Sequence, residues 1–197
     1  MDPVKSLEKI IVSRTRGKLL RVLFYLPGEL YYVRQLVKLT GEAINSVRRE
    51  LSNLETSGAI KSEWRGNKLF YRANPNYLFF QEMLGLVLKA EGLGYEMIKN
   101  RQRLGRIKFA LFSGKFARNL PREKDEVDLL VVGRVVLPEL GVLVREEEER
   151  RQREINYTVM EEKEFRFRKS NRDPFLTQIL LQGRVMIIGD EQKLLDF

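Results

Sequence analysis

The chain has 197 residues, 43% of them apolar and 32% charged, which predicts a soluble globular protein of one large or two small domains. Cysteine and histidine are both absent, so disulfides, zinc fingers, cysteine nucleophiles and histidine general bases are excluded. Any bound metal must then be a hard cation held by carboxylates, and Mg²⁺ is the first candidate. The net charge is +9, and residues 1–92 carry 15 Lys and Arg against 9 Asp and Glu, an excess that favours a polyanionic partner.

The first apolar segment predicts a helix from about Thr15 to Leu26, which Pro27-Gly28 ends. Its inward face is aliphatic and comprises Leu19, Leu20, Val22, Leu23 and Leu26. The stretch from Val33 to Thr40 predicts a second, shorter helix that closes at Gly41. Gly41 would join this short helix to the next one by a tight turn.

Helical periodicity restarts over Ala43–Ser57, with Gly58 suited to the left-handed residue after the last turn. The apolar positions recur at spacings of three and four residues and are Ala43, Val47, Leu51 and Leu54. That spacing turns the polar residues Asn45, Ser46, Arg48, Arg49 and Ser52 away from the core. These side chains are the candidates for reaching the major groove of DNA.

A hairpin follows, with strands over Ile60–Trp64 and Leu69–Ala73. The connecting turn contains Gly66 and Asn67, residues that tolerate positive φ. Arg65, Asn67 and Lys68 lie at its tip and are candidate contacts to DNA phosphates.

Residues 13–75 resemble the winged helix-turn-helix domain of bacterial and archaeal regulators, chiefly through the segment Leu51–Ile60 that precedes the hairpin. The resemblance implies binding to double-stranded DNA by a recognition helix and a wing. The alternative interpretation is a small helical domain with a basic surface that binds no nucleic acid.

Asn74-Pro75-Asn76 breaks the chain, and a helical segment over Tyr77–Leu88 is then apolar nearly all round. Such a helix needs more than one covering surface, supplied by packing between domains, by a homodimer interface, or by both. Gly92-Leu93-Gly94 is the predicted boundary between domains. The organisation is therefore a DNA-binding domain over 1–75, a linker and dimerisation helix over 76–93, and a second domain over 94–197.

The second half predicts an α/β succession, so the chain as a whole is of the α+β class. A polar helix is expected over Tyr95–Leu104, and a small mixed sheet should form from four later segments. The predicted strands are Ile107–Phe112, Val127–Val132, Ile155–Met160 and Val185–Ile188, and the predicted helices are Leu137–Arg151, Glu161–Arg168 and Pro174–Leu181.

Residues 107–133 resemble the minimal nucleotidyltransferases of the DNA polymerase β superfamily, which place Gly-Ser at a helix start and Asp-x-Asp on the next strand. Gly114, Lys115 and Arg118 stand at the family's phosphate-binding turn, and Glu126 and Asp128 stand at its two metal-binding carboxylates. The resemblance implies nucleotide binding at the first set and Mg²⁺ at the second. On a strand, residues two apart share a face, which would let both carboxylates reach the metal.

Three departures separate this chain from that pattern. Lys115 replaces the serine, unless the pair is inverted as Ser113-Gly114; Glu126 replaces the first aspartate. A third carboxylate has no clear counterpart, because the nearest residues are Glu154 and Asn156. A stretch without acidic residues, from Lys99 to Arg122, leaves phosphate binding by positive charge as a further possibility.

These features predict a dimeric, DNA-binding transcriptional regulator with a degenerate nucleotidyltransferase-like domain that senses a nucleotide ligand or contacts a protein. One alternative is an active Mg²⁺-dependent nucleotidyltransferase that modifies a protein or small molecule. Another is an antitoxin-like protein that binds a separate partner. Neither a secretory signal nor an apolar run of about 20 residues is visible, so a cytoplasmic, membrane-free protein is expected.

Overall fold

A computed structural model describes residues 2–5 and 11–196 and shows an α+β protein with one antiparallel and one mixed sheet. The coarse fold class predicted from the sequence is thus confirmed. The chain separates into two compact units, the first ending at Glu91 and the second beginning at Gly92.

The first unit alternates helices with short strands. Its elements are α1 (Arg14–Tyr25), β1 (Tyr31–Tyr32), α2 (Val33–Thr40), α3 (Ile44–Thr56), β2 (Ile60–Arg65), β3 (Lys68–Ala73) and α4 (Phe80–Ala90). The three strands form an antiparallel sheet in the order β1-β3-β2. Ser13 caps α1 by accepting from the amide of Arg16, and Gly41 ends α2 with φ of 66°.

The core of the first unit forms where α1, α2 and α3 meet. Its fully buried members include Leu19, Leu23, Phe24, Leu36, Val47 and Leu51. Ala43, predicted on the apolar face, is instead exposed at the N-cap of α3, and Glu50 within the helix is buried. Helix α4 begins at Phe80 and not at Tyr77, and its Phe80 ring lies 5.7 Å from that of Phe24 in α1.

The second unit builds a four-stranded sheet flanked by helices. Its elements are α5 (Gly92–Lys99), β4 (Gly105–Ser113), α6 (Gly114–Ala117), β5 (Leu129–Val135), α7 (Leu137–Arg151), β6 (Tyr157–Met160), α8 (Glu162–Ser170), α9 (Pro174–Leu181), β7 (Arg184–Ile188) and α10 (Glu191–Leu195). The strand order is β6-β5-β4-β7; β5 and β6 are parallel and the other pairs antiparallel, so the sheet is mixed as predicted. Phe109, Leu111, Val132 and Phe165 pack in its core.

Two predictions about this unit are wrong. The polar helix expected over Tyr95–Leu104 instead runs from Gly92 to Lys99. Strand β5 begins at Leu129, so Glu126 and Asp128 lie in the segment before it. Strand alternation therefore does not determine the relative positions of these two carboxylates.

Over the described part of the chain, every helix is too short or too polar to cross a membrane.

Candidate functional site

The outer face of α3 presents the polar side chains expected from the sequence. Asn45, Arg48, Arg49 and Ser52 are exposed and Ser46 is half-buried. Among the described residues, no carboxylate forms an ion pair with Arg48 or Arg49. Both guanidinium groups are thus available to a ligand from outside the chain.

The carboxylates near α3 are turned toward α1 instead. Glu50 accepts hydrogen bonds from Ser13 Oγ at 2.8 Å and from Arg16 Nε at 2.9 Å. Glu42 accepts from Lys18 Nζ at 2.7 Å, and this bond lowers the pKa of the Glu42 carboxyl. Burial alone would raise the pKa of Glu50, but the hydrogen bonds outweigh it and hold that pKa below its usual value. Glu42 and Glu50 are therefore paired on the side that faces α1, whereas Glu55 is exposed farther along α3 and accepts from Ser62 Oγ.

The turn between β2 and β3 carries the remaining predicted DNA contacts. Arg65, Asn67 and Lys68 are all exposed, and Gly66 alone of the two turn residues has positive φ, at 59°. Arg65 Nε donates to Glu63 at 2.6 Å, and Lys68 Nζ lies 4.8 Å from the centre of the Tyr32 ring. Both cations are loosely held at the surface, where such contacts contribute little and can be exchanged for phosphate.

Sequence reasoning missed three exposed residues beside this surface. Arg34 and Lys38 project from α2, and no ion pair engages either of them within the described residues. Trp64 in β2 is 71% exposed. It lies on the same face of β2 as the buried Ile60, but at the opposite end of the strand, next to the turn.

In the second unit, the structure brings Lys115 and Glu126 together. Lys115 Nζ lies 2.6 Å and 2.8 Å from the two carboxylate oxygens of Glu126. This hydrogen bond is the main reason that the pKa of Lys115 is raised and the pKa of Glu126 is lowered. Arg118, the third residue predicted near a phosphate, is exposed at the end of α6.

Asp128 is fully buried and is held by two arginines. Arg122 Nε lies 2.9 Å from Oδ2, Arg153 Nη2 lies 2.7 Å from Oδ1, and the amide of Asn156 donates to Oδ2 at 3.1 Å. No group of three or more acidic, histidine or cysteine residues in the described ranges could hold a metal. A Mg²⁺ ion would require oxygens that already accept from cations, so these residues do not fit a Mg²⁺ site in this arrangement.

Backbone amides of the predicted phosphate-binding turn also form hydrogen bonds within the fold. The amide of Gly114 donates to the carbonyl of Gly183 at 2.6 Å, and the amide of Phe116 donates to Ser113 Oγ at 3.2 Å. A Cβ atom at position 114 would lie 2.8 Å from the Gly183 carbonyl oxygen. The close approach of two backbone segments explains why glycine occupies position 114. Its amide stabilises the fold through the hydrogen bond to Gly183.

Comparison with protein-family models, with curated proteins and with solved structures finds no match to this chain. Function is accordingly argued from the geometry of the two units.

Proposed function

We propose that the protein is a transcriptional regulator that binds double-stranded DNA through a winged helix-turn-helix domain in its first unit. The element order helix, strand, helix, helix, strand, strand supports this, as does the sheet in which β1 pairs with β3. In this proposal α3 is the recognition helix and the β2–β3 hairpin is the wing.

The observation that carries the proposal is the pair of exposed arginines on α3. Arg48 and Arg49 face outward without carboxylate partners in the described chain, whereas Glu50 is buried against α1. On a helix that only faces solvent, Lys and Arg side chains are expected to pair with nearby Asp or Glu side chains. Unpaired arginines beside small polar side chains are suited to guanine edges and phosphates.

We also propose that two copies assemble through the segment Tyr77–Leu88. Phe79 at the N-cap of α4 and Leu86 within the helix are both exposed, and Leu78 just before the helix is 82% exposed. The opposite side of α4 is buried. If a second copy of the chain covered this apolar strip, the dimer would present two recognition helices, one to each half-site of an inverted repeat.

For the second unit we propose a nucleotidyltransferase-like domain that senses a ligand or contacts a protein and does not transfer nucleotides. The pairing of Glu126 with Lys115 and of Asp128 with Arg122 and Arg153 supports this role. A specific place for a ligand is an open cavity of about 930 Å³ between α9 and α10, which Leu176, Leu180, Leu181 and Leu195 help to line.

The test is to recover the protein from cells with its bound DNA and to sequence the fragments. A shared inverted repeat would support sequence-specific regulation by a dimer. Random fragments, together with an affinity that changes with salt concentration but not with DNA sequence, would show that charge alone holds the DNA. This result would contradict the proposal.

A further inference from the structure

We infer that Trp64 is a DNA contact of the wing, where its indole ring packs on a deoxyribose of the backbone and its Nε1–H donates to a phosphate. This inference rests on the proposed function and names an uncharged contact within that interface. The chain has a single tryptophan, and it is 71% exposed, so the residue is both unusual and easy to monitor.

The position of Trp64 follows from the alternation of β2. Ile60, Ser62 and Trp64 share one face of this strand, and Trp64 pairs with Leu69 of β3. Ser62 Oγ on that face donates to Glu55 of α3, so this face of the hairpin is turned toward the helix. Trp64 lies two residues, about 6.6 Å, farther along the strand.

Tyr71 links the same face to the outward side of α3. It pairs with Ser62 across the two strands, and its pKa is raised by burial and by Glu55, while Arg48 acts to lower it. Arg48 and Glu55 are seven residues apart and thus lie on one side of the helix. Trp64 therefore stands at the edge of a surface that already includes a candidate base-contacting arginine.

The charge around Trp64 favours DNA over an apolar protein partner. Lys61, Glu63 and Arg65 lie on the opposite face of β2 from Trp64, and Lys68 is paired with Arg65 across the turn; Lys61, Arg65 and Lys68 are exposed, and Arg65 also donates to Glu63. At this tip of the hairpin the exposed ring lies on one face and exposed cations lie on the other. Such a tip suits a backbone of sugars and phosphates, because the ring can cover a sugar while the cations and the indole N–H meet phosphate oxygens.

The experiment uses the full-length protein and a labelled mixed-sequence duplex of about three helical turns. Anisotropy of the label reports DNA binding, and intrinsic fluorescence reports the environment of Trp64 alone. We expect the tryptophan emission to change with the same saturation curve as the anisotropy. Emission that stays constant while the anisotropy rises would overturn the inference and leave the regulator proposal standing. No rise in anisotropy would overturn both.

Two variants separate this contact from an ionic one. Trp64→Ala should weaken binding about tenfold and leave the slope of log K against log salt unchanged, because indole displaces no counterion. The neighbouring change Arg65→Gln should lower that slope by about one. A Trp64→Ala variant that is folded by circular dichroism and binds like the wild type would contradict the inference. So would emission that shifts with protein concentration in the absence of DNA, since a second copy would then cover the ring.

Discussion

Arg153 Nη2 donates to Asp128 Oδ1 over 2.7 Å and joins the segment after α7 to the segment before β5. The Asp128 side chain is 1% exposed, and the same guanidinium also donates to the Leu120 carbonyl at 2.7 Å. The position that resembles a metal ligand thus serves here as the centre of a buried ion network.

Asp128→Asn should destabilise the second unit by about 3 kcal/mol, because it leaves Arg122 and Arg153 without a buried counter-charge. Urea unfolding measures the loss. Asp125→Asn is the matched control, since Asp125 is exposed and has no ion pair among the described residues. Equal stabilities for the two variants would show that the network contributes nothing.

The wild-type protein should transfer no nucleotide from any of the four labelled nucleoside triphosphates with Mg²⁺ or Mn²⁺. Lys115 and the two arginines occupy the carboxylate oxygens that would position the metal. Incorporation of label into the protein or a partner is the measurement. Label that appears with the wild type and disappears in Glu126→Gln would support the enzyme instead.

Arg48→Ala and Arg49→Ala should reduce affinity for a selected operator more than affinity for random DNA. Side chains of the recognition helix reach base edges, where a good bidentate contact is worth about 1–3 kcal/mol. Arg65→Ala and Lys68→Ala should weaken both DNAs alike, because phosphate contacts carry no sequence information. Equal losses on both DNAs for Arg48 and Arg49 would mean that neither reads sequence.

The Lys115–Glu126 contact should make stability depend on acidity. The pKa of Glu126 is lowered in the folded protein by the Lys115 hydrogen bond, so the stabilisation is complete above the ordinary value of 4.5. It is lost as the pH falls through the lowered pKa. The difference in unfolding free energy between the wild type and Glu126→Gln should therefore shrink at acid pH. A difference that is constant from neutral to strongly acid pH would refute this.

Light scattering should show a dimer that Leu86→Glu dissociates, since a charge on the exposed side of α4 cannot be covered by an apolar partner. Leu137→Glu is the control, because Leu137 is similarly exposed on a helix of the second unit. A wild-type monomer at tens of micromolar that binds single half-sites would eliminate the proposed assembly.

Periodicity was sufficient for much of the fold. It located Val47, Leu51 and Leu54 in the core, and it gave the bounds of α7 and α9 as the structure has them. It did not predict the burial of Glu50, because that burial depends on a charged partner outside the helix. That partner, Arg16, lies 34 residues away in sequence, and helical spacing carries no information about it.

The second unit shows the same limit at its candidate site. The resemblance singled out Glu126 and Asp128, but the pairing of Asp128 depends in part on Arg153, which is 25 residues farther along the chain. The start of β5 was placed two residues too early because Val127 extends the apolar run into the preceding segment. The local sequence pattern thus identified the residues of the candidate site, whereas tertiary contacts determine which groups those residues bind.

The inward rotation of Glu50 also has a kinetic consequence. Because this acid is buried against Arg16 of α1, it does not offset the positive field of Arg48 and Arg49 outside α3, where Glu55 is the exposed acid of the helix. A polyanion diffusing past would be drawn to this side of the molecule before any contact forms. The rate of encounter, and not only the lifetime of the complex, should then fall steeply as added salt shortens the reach of that field.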